Sequence, residues 1–286
     1  MFWSFSAIFF ENASKKVGAL AVNFWKVVFA FLFLAISGTI VRGVPFPYDA
    51  PLRTWIFLSL SGLVGFVVAD FFLFNAYVLI GSRITVVFQS LTPVFTALFA
   101  YIFIAERMQM HRLIGMAVTV AGILIVVLVR SRQSRKNNEG ALSVKGLTYA
   151  FLSALFQAGG MVLTKAGLGD YSPISGTQIR VFVAIFGFAI NALIMGQGPH
   201  VFFRVPKNRE AFTSTIKGSV FGPFLGVVLS LFSMQNTQVG ATSTLMALTP
   251  VVIIVPSVLI LKQKIHFLEI LGAAIAVGGA ALFFLL

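Results

Sequence analysis

Long apolar runs separated by short polar breaks fill this chain, and the runs are continuous rather than alternating between apolar and polar positions. Nine of them cover Leu20–Ile40, Trp55–Ile80, Ile84–Ile104, Leu113–Val129, Leu147–Leu163, Ile174–Met195, Ile216–Phe232, Ala241–Leu261 and Phe267–Leu286. A shorter run, Met1–Phe10, precedes Glu11. A helix needs about 20 apolar residues to cross the hydrocarbon core. Unbroken runs suit helices, whereas barrel strands would show a dyad pattern. The pattern predicts an all-α integral membrane protein of ten transmembrane helices, the first of them N-terminally shortened.

The longest polar break, Arg130 to Gly146, carries a dense basic block. It divides the chain into a five-helix unit at residues 1–131, a basic linker at 132–145 and a second five-helix unit at 146–286. The two units echo each other. "LTPVFTALFAYIFIAER" and "LTPVVIIVPSVLILKQK" open corresponding runs, and a shift of 157 residues places Pro93 on Pro250, Gly115 on Gly272 and Gly122 on Gly279 without a gap. Earlier in each unit the shift is smaller, superposing Lys26 on Arg180 and Lys15 on Lys165. Five is odd, so the second copy enters the bilayer from the opposite side. Such inverted repeats place a substrate site near the midplane between the halves. Set against its repeat, the first helix lacks about two turns before Lys15, and no basic leader or small-residue cleavage site marks a signal peptide.

Composition strengthens the membrane assignment. Hydrophobic residues make up 58% and charged residues 10%, with a mean hydropathy of +0.98; soluble domains are about 45–50% apolar and about 25% charged. The formal net charge of +13 would suggest nucleic acid in a soluble protein. Here the cations collect in loops, and no nucleic-acid partner is expected. With both termini outside, 14 Lys and Arg fall on the face that carries the linker and five on the other, which places the linker in the cytoplasm. Catalytic chemistry finds little foothold. There is no cysteine, the three histidines lie far apart, and neither a Walker loop nor a metal-binding His spacing occurs. Ser214–Lys217 matches S-x-x-K but lacks its companion motifs. No metal, no cofactor and no enzymatic activity are expected.

Ionisable groups within apolar runs are the candidates for function. Asp70 lies 15 residues after Trp55, roughly 22 Å into its span. An unpaired charge at that depth costs about 2.5–3.5 kcal/mol or more, so Asp70 couples protons, binds a substrate amine, or closes a structural ion pair. Lys26 and Arg180 each sit about six residues, roughly 9 Å, inside their helices. They approach from opposite faces and could attract an anionic group, snorkel to the headgroups, or join Asp70 in a switching network. Pro93 and Pro250 remove backbone donors and are expected to kink their helices; Gln89, Thr92 and Thr249 beside them offer polar cavity lining. Gln157, Gly159 and Gly160 interrupt the sixth run, and Asn75 follows Asp70 by five residues. Gly115, Gly122, Gly272 and Gly279 form seven-residue stripes suited to close helix packing. Glu11 precedes Lys15 by four residues and is expected to pair with it near the interface.

Taken together, the duplicated LTPV segments, the "LIG…AG" and "ILG…GG" endings and the stretch "VADFFLFNAYVLIGSRIT" resemble the EamA-type transporters of the drug/metabolite transporter superfamily over nearly the whole chain. Glu106 sits where that family commonly ends a helix with Glu, but the corresponding position holds Gln263. Family members often have Arg where Lys26 stands. The resemblance implies a secondary transporter that exports or exchanges small metabolites by alternating access, expected in a bacterial cytoplasmic membrane; because a duplicated chain can work alone, a monomer is expected. It also implies both termini in the cytoplasm, opposite to the charge count. Amino acids are among the candidate substrates, with protons a candidate coupling partner. The alternatives are a multidrug or hydrophobic-compound exporter and, more remotely, a membrane-embedded lipid-modifying enzyme.

Overall fold

The computed structural model describes residues 2–106, 109–136, 143–248 and 266–285. Every regular element among them is helical. In chain order these are α1 (Phe2–Val17), α2 (Ala19–Arg42), α3 (residues 52–80), α4 (residues 82–104), α5 (Met110–Lys136), α6 (Val144–Leu168), α7 (Pro173–Ile194), α8 (Gly198–Lys207), α9 (Arg209–Asn236), α10 (Val239–Ala247) and α11 (Phe267–Leu285). Five rods are long and apolar enough to cross a bilayer by length and composition: α2, Leu52–Ser82, α6, α7 and α9. Among the described residues the predicted runs and the helices coincide closely; most of the run Ala241–Leu261 lies outside them. The exceptions have local causes. α1 continues past Glu11 to Val17, since nothing in ENASKKV breaks a helix. α5 carries the basic block on to Lys136, so part of the expected linker is helical. α6 is continuous through Gln157, Gly159 and Gly160, because neighbouring helices fill the space that the glycines leave.

Only a three-residue step, Gly81 to Arg83, separates the third and fourth runs, and Gly81 makes the break. Its φ of 77° and ψ of 159° lie where residues with a Cβ are strained. α4 then passes through a 3-10 turn at Gln89–Leu91 before Thr92–Ile104, with Pro93 in the first turn of that last segment, where its missing N–H costs nothing. α8 was not foreseen. It buries Val201 and Val205, exposes Arg204 and Lys207, and is tied to α2 by the Trp25 indole N–H shared between the carbonyls of Val201 and Phe202, each 3.2 Å away.

Matching features recur in the two units. α3 and α9 each contain a π-helical turn, at Leu63–Val68 and Val220–Gly226, starting 157 residues apart. The Ser61 hydroxyl donates to the Gly160 carbonyl at 2.7 Å, joining α3 to α6; the Ser6 hydroxyl donates to the Gly218 carbonyl at 3.2 Å, joining α1 to α9. These two bonds use the same two positions with donor and acceptor exchanged. They set the shift between α1 and α6 at 154, so Glu11 rather than Lys15 corresponds to Lys165. Sequence matching had chosen the lysines because both copies carry the same residue type there.

α5 and α11 pack chiefly on each other through the glycine stripes. A Cβ on Gly122 would lie 2.4 Å from the Ala276 nitrogen, and one on Gly279 would lie 2.4 Å from the Thr119 nitrogen. With lipid on the outside, close van der Waals packing is what holds such a pair together. Gly122→Ala should therefore force the two backbones apart and destabilise the protein by about 1–3 kcal/mol, lowering its unfolding midpoint in detergent. Gly278→Ala has open space around it and should leave the midpoint unchanged. Equal effects of the two substitutions would contradict this account of the interface.

Candidate functional site

Loops fix two faces of the bundle. On the face that carries the chain termini, Arg42 donates to Ser175 and to Asp49, and the Tyr171 hydroxyl donates to Asp49 at 2.9 Å. Desolvation would raise the Asp49 carboxyl, but the hydrogen bonds from Tyr171 and Arg42 outweigh it and hold the group below the usual carboxylate range. On the opposite, linker-bearing face, Lys16 pairs with Glu210.

Between these faces lies a cavity of about 110 Å³. Asp70, Lys26, Arg180, Gln89, Thr92 and Gln157 all line it. Lys26 and Asp70 are 3% and 7% exposed and form an ion pair across α2 and α3. Lys26 thus turns inward rather than reaching for headgroups. Phe74 adds a ring 4.1 Å from its Nζ, and the Asn23 amide donates to the Asp70 carbonyl at 3.1 Å. Arg180, 4% exposed, enters from α7 with its guanidinium 4.8 Å from the Phe66 ring centre. The Gln89 amide donates to the Ser153 hydroxyl at 2.6 Å and accepts from Thr92 at 3.2 Å, linking α4 to α6.

Other predicted positions fall elsewhere. Pro93 is buried beside Thr92 but does not line the cavity. Asn75 donates to the Phe71 carbonyl of its own helix, and its neighbours form a separate pocket near Lys145 and Arg204. Thr249 and Pro250 lie outside the described residues. The aromatic walls had not been singled out: Trp3, Phe10, Phe66, Phe74 and Tyr77. Phe66, Asp70, Phe74 and Tyr77 follow helical spacing on α3, a stripe centred on the carboxylate that could have revealed them.

The two ends of the cavity differ. Toward the linker face, Phe10 packs at a tilt against Phe74 with ring centres 5.1 Å apart, and Phe74 against Tyr77 at 5.4 Å. Beyond these rings Glu11 pairs with Lys15 and accepts from the backbone N–H of Ser82 at 3.1 Å and from its hydroxyl, capping the start of α4. Toward the terminus face a groove of about 1500 Å³ opens between α3, α4, α6, α9 and α10. It adjoins the cavity, since Met161 and Met234 line one while Val162 and Gln235 line the other. At its rim Glu106 accepts from the Val239 N–H at 3.0 Å, and Lys165 donates to the carbonyls of Met234 and, at 2.9 Å, Thr237. Ser82 and Val239 stand 157 residues apart, so a glutamate caps the corresponding first turn at each end of the molecule.

The buried pair should behave as a unit. Lys26→Met and Asp70→Asn should each cost about 3–5 kcal/mol, because each leaves an uncompensated charge, whereas the double substitution should cost much less than their sum. Unfolding of the four proteins in detergent measures this, and additive losses would show that the pair is not coupled.

Comparisons with known proteins follow the same outline. The EamA-like transporter family matches over residues 1–128 and 144–285. The uncharacterized transporter YetK of Bacillus subtilis is 23% identical over 224 residues, covering 73% of this chain and 63% of its own length. An uncharacterized transporter of Archaeoglobus fulgidus is 21% identical over 224 residues, covering 76% of this chain and 73% of that protein. A protein crystal structure superposes with a TM-score of 0.71 at 19% identity over 99% of this chain and 93% of its own, a likeness of fold. With matches over both units and apolar helices throughout, this is a multi-pass integral membrane protein, and the chain belongs to the EamA-like transporter family.

Proposed function

We propose that the protein is a secondary transporter that carries a small metabolite through the central cavity by alternating access between two inverted five-helix repeats. The observation that supports this most is the cluster of Lys26, Asp70 and Arg180. Three ionisable groups facing one cavity inside an apolar bundle are costly to a membrane protein unless they serve a pathway. The recurring π-turns and the exchanged serine bonds support the repeat. π-turns often accompany functional sites because they swing side chains off the regular helical register; Gly65 and Pro223, within the two turns, lie beside Arg180 and in the cavity wall respectively.

The present conformation fits one state of such a cycle. The groove leads in from the terminus face, while the packed rings of Phe10, Phe74 and Tyr77 and the Glu11 cap close the linker side. The glutamate caps are the natural contacts to break and remake, one at each end. Multidrug export is the second reading, favoured by the aromatic walls. Its usual cationic cargo fits poorly beside two cations and one carboxylate.

Counterflow into proteoliposomes loaded in turn with amino acids, organic acids and aromatic compounds tests transport directly. At least one class should exchange, and Asp70→Asn should abolish the exchange in folded protein. No exchange of any class, or exchange indifferent to Asp70, would sink the proposal.

The rim contact adds a pH dependence. Burial raises the Glu106 carboxyl above its ordinary range, more than Lys165 and the Val239 N–H lower it. As pH falls through that raised value, Glu106 becomes neutral and its grip on Val239 weakens. Spin labels near the ends of α4 and α10 should therefore separate on acidification, at a pH above that of an ordinary glutamate, and Glu106→Gln should show the wide spacing at neutral pH. A spacing insensitive to both would rule out the contact as a gate.

A further inference from the structure

We infer that the cavity binds an organic monocarboxylate, its carboxylate on Arg180 and its apolar or aromatic body against the surrounding rings; as a statement about cargo, this rests on the transport reading above.

The argument begins from unequal treatment of two matched cations. Lys26 and Arg180 occupy corresponding places in α2 and α7, 154 residues apart, and both face the cavity. Asp70 has no counterpart: the position 157 residues on is Val227, which also lines the cavity. The single carboxylate is bonded to Lys26. Arg180 feels Asp70 only through space. Among the described residues it has no ion-pair partner, and its Nε is buried without a hydrogen bond. A buried guanidinium left in that condition is costly, and an incoming anion relieves the cost.

The geometry also selects the anion. The Arg180 guanidinium carbon lies over the Phe66 ring, 4.8 Å from its centre, and among the described residues its N–H groups make no hydrogen bond, so they are left for a planar acceptor. A carboxylate matches that fork with two parallel hydrogen bonds. Two cations against one carboxylate leave a single positive charge, so a monoanion balances the site and a dianion would overfill it. A zwitterionic amino acid needs an anionic seat for its ammonium as well. Among the described residues of the lining Asp70 is the only carboxylate, and Lys26 already holds it. Most of the remaining surface is apolar, with Trp3, Phe10, Phe66, Leu73, Phe74 and Leu231 around it, although Ser6, Gln89, Thr92, Gln157, Ser230 and Ser243 also reach it. The apolar part of that wall suits a hydrocarbon or aryl body.

Binding of radiolabelled benzoate to the purified full-length protein, with benzamide and phenylalanine as competitors, tests the assignment. Benzoate should bind saturably. Benzamide, of the same shape without the charge, should compete at least about tenfold more weakly, the effect of losing one charge-assisted hydrogen bond, and phenylalanine should also be weaker. Arg180→Gln should lose at least about tenfold in affinity, Arg180→Lys should lose less, and Lys207→Gln, on the surface, should lose nothing. If Arg180→Gln does not fold, the benzoate–benzamide ratio and Arg180→Lys decide the matter. Absence of saturable benzoate binding to wild type, equal competition by benzamide, or benzoate affinity retained in folded Arg180→Gln would each overturn the inference. The transport reading fails separately. Exchange of uncharged or zwitterionic solutes without carboxylate binding would leave transport standing and remove this inference. Carboxylate binding without exchange of any solute would do the reverse.

Discussion

A charge held inside a lipid-embedded bundle must find a partner, and the arrangement of this protein's centre follows from that constraint. Lys26 and Asp70 meet across α2 and α3 and exclude each other from the headgroups. For them to meet, α3 has to present Asp70 inward, and the π-turn just before it places Gly65 against both Gly160 and Arg180. Two helices from one unit and two from the other therefore converge on the same few ångströms. Replacing the pair by well-packed apolar groups would be neutral or stabilising in many proteins, so its presence at the cavity wall argues for a role in what the cavity does.

The rest of the molecule is organised to let that centre be reached. Aromatic rings supply rigid, largely apolar walls around the ions. The α5–α11 pair, locked by glycines meeting opposing backbone, stands apart from the cavity and gives the bundle a fixed edge. The contacts that remain adjustable are polar and peripheral: Glu11 on Ser82 at one end, Glu106 on Val239 and Lys165 on the carbonyls of Met234 and Thr237 at the other. A packed core with two polar rims can rock without losing its interior.

Much of this was legible in the sequence, for physical reasons. Spans announce themselves because lipid tolerates only long apolar helices, and Gly122 and Gly279 announced their packing because nothing larger fits. Asp70, Lys26 and Arg180 stood out because charge is so rare in these runs, and the structure brings them to one cavity. What the residues could not give was pairing. Nothing in the string says that Asp70 bonds Lys26 and leaves Arg180 without a hydrogen bond, because that depends on side-chain reach across helices. Periodicity likewise missed the π-turns, which add a residue to a turn without changing composition, though Gly62, Gly65, Gly222, Pro223 and Gly226 mark them. Glu11 was read as a surface pair with Lys15; its second role, capping α4, depends on Gly81 turning the chain back beneath it.

The central claim is that this cavity is reached alternately from the two faces. The chain contains no cysteine, so single cysteines can be introduced on a silent background. The decisive measurement is the rate at which membrane-impermeant thiol reagents label Ser243→Cys, in the cavity wall, when applied to one face of sealed vesicles and then to the other. The account predicts labelling from the terminus face in the present state and slower labelling from the linker face, with transported solute shifting the balance between them. Labelling from one face only, unchanged by any solute, would contradict it.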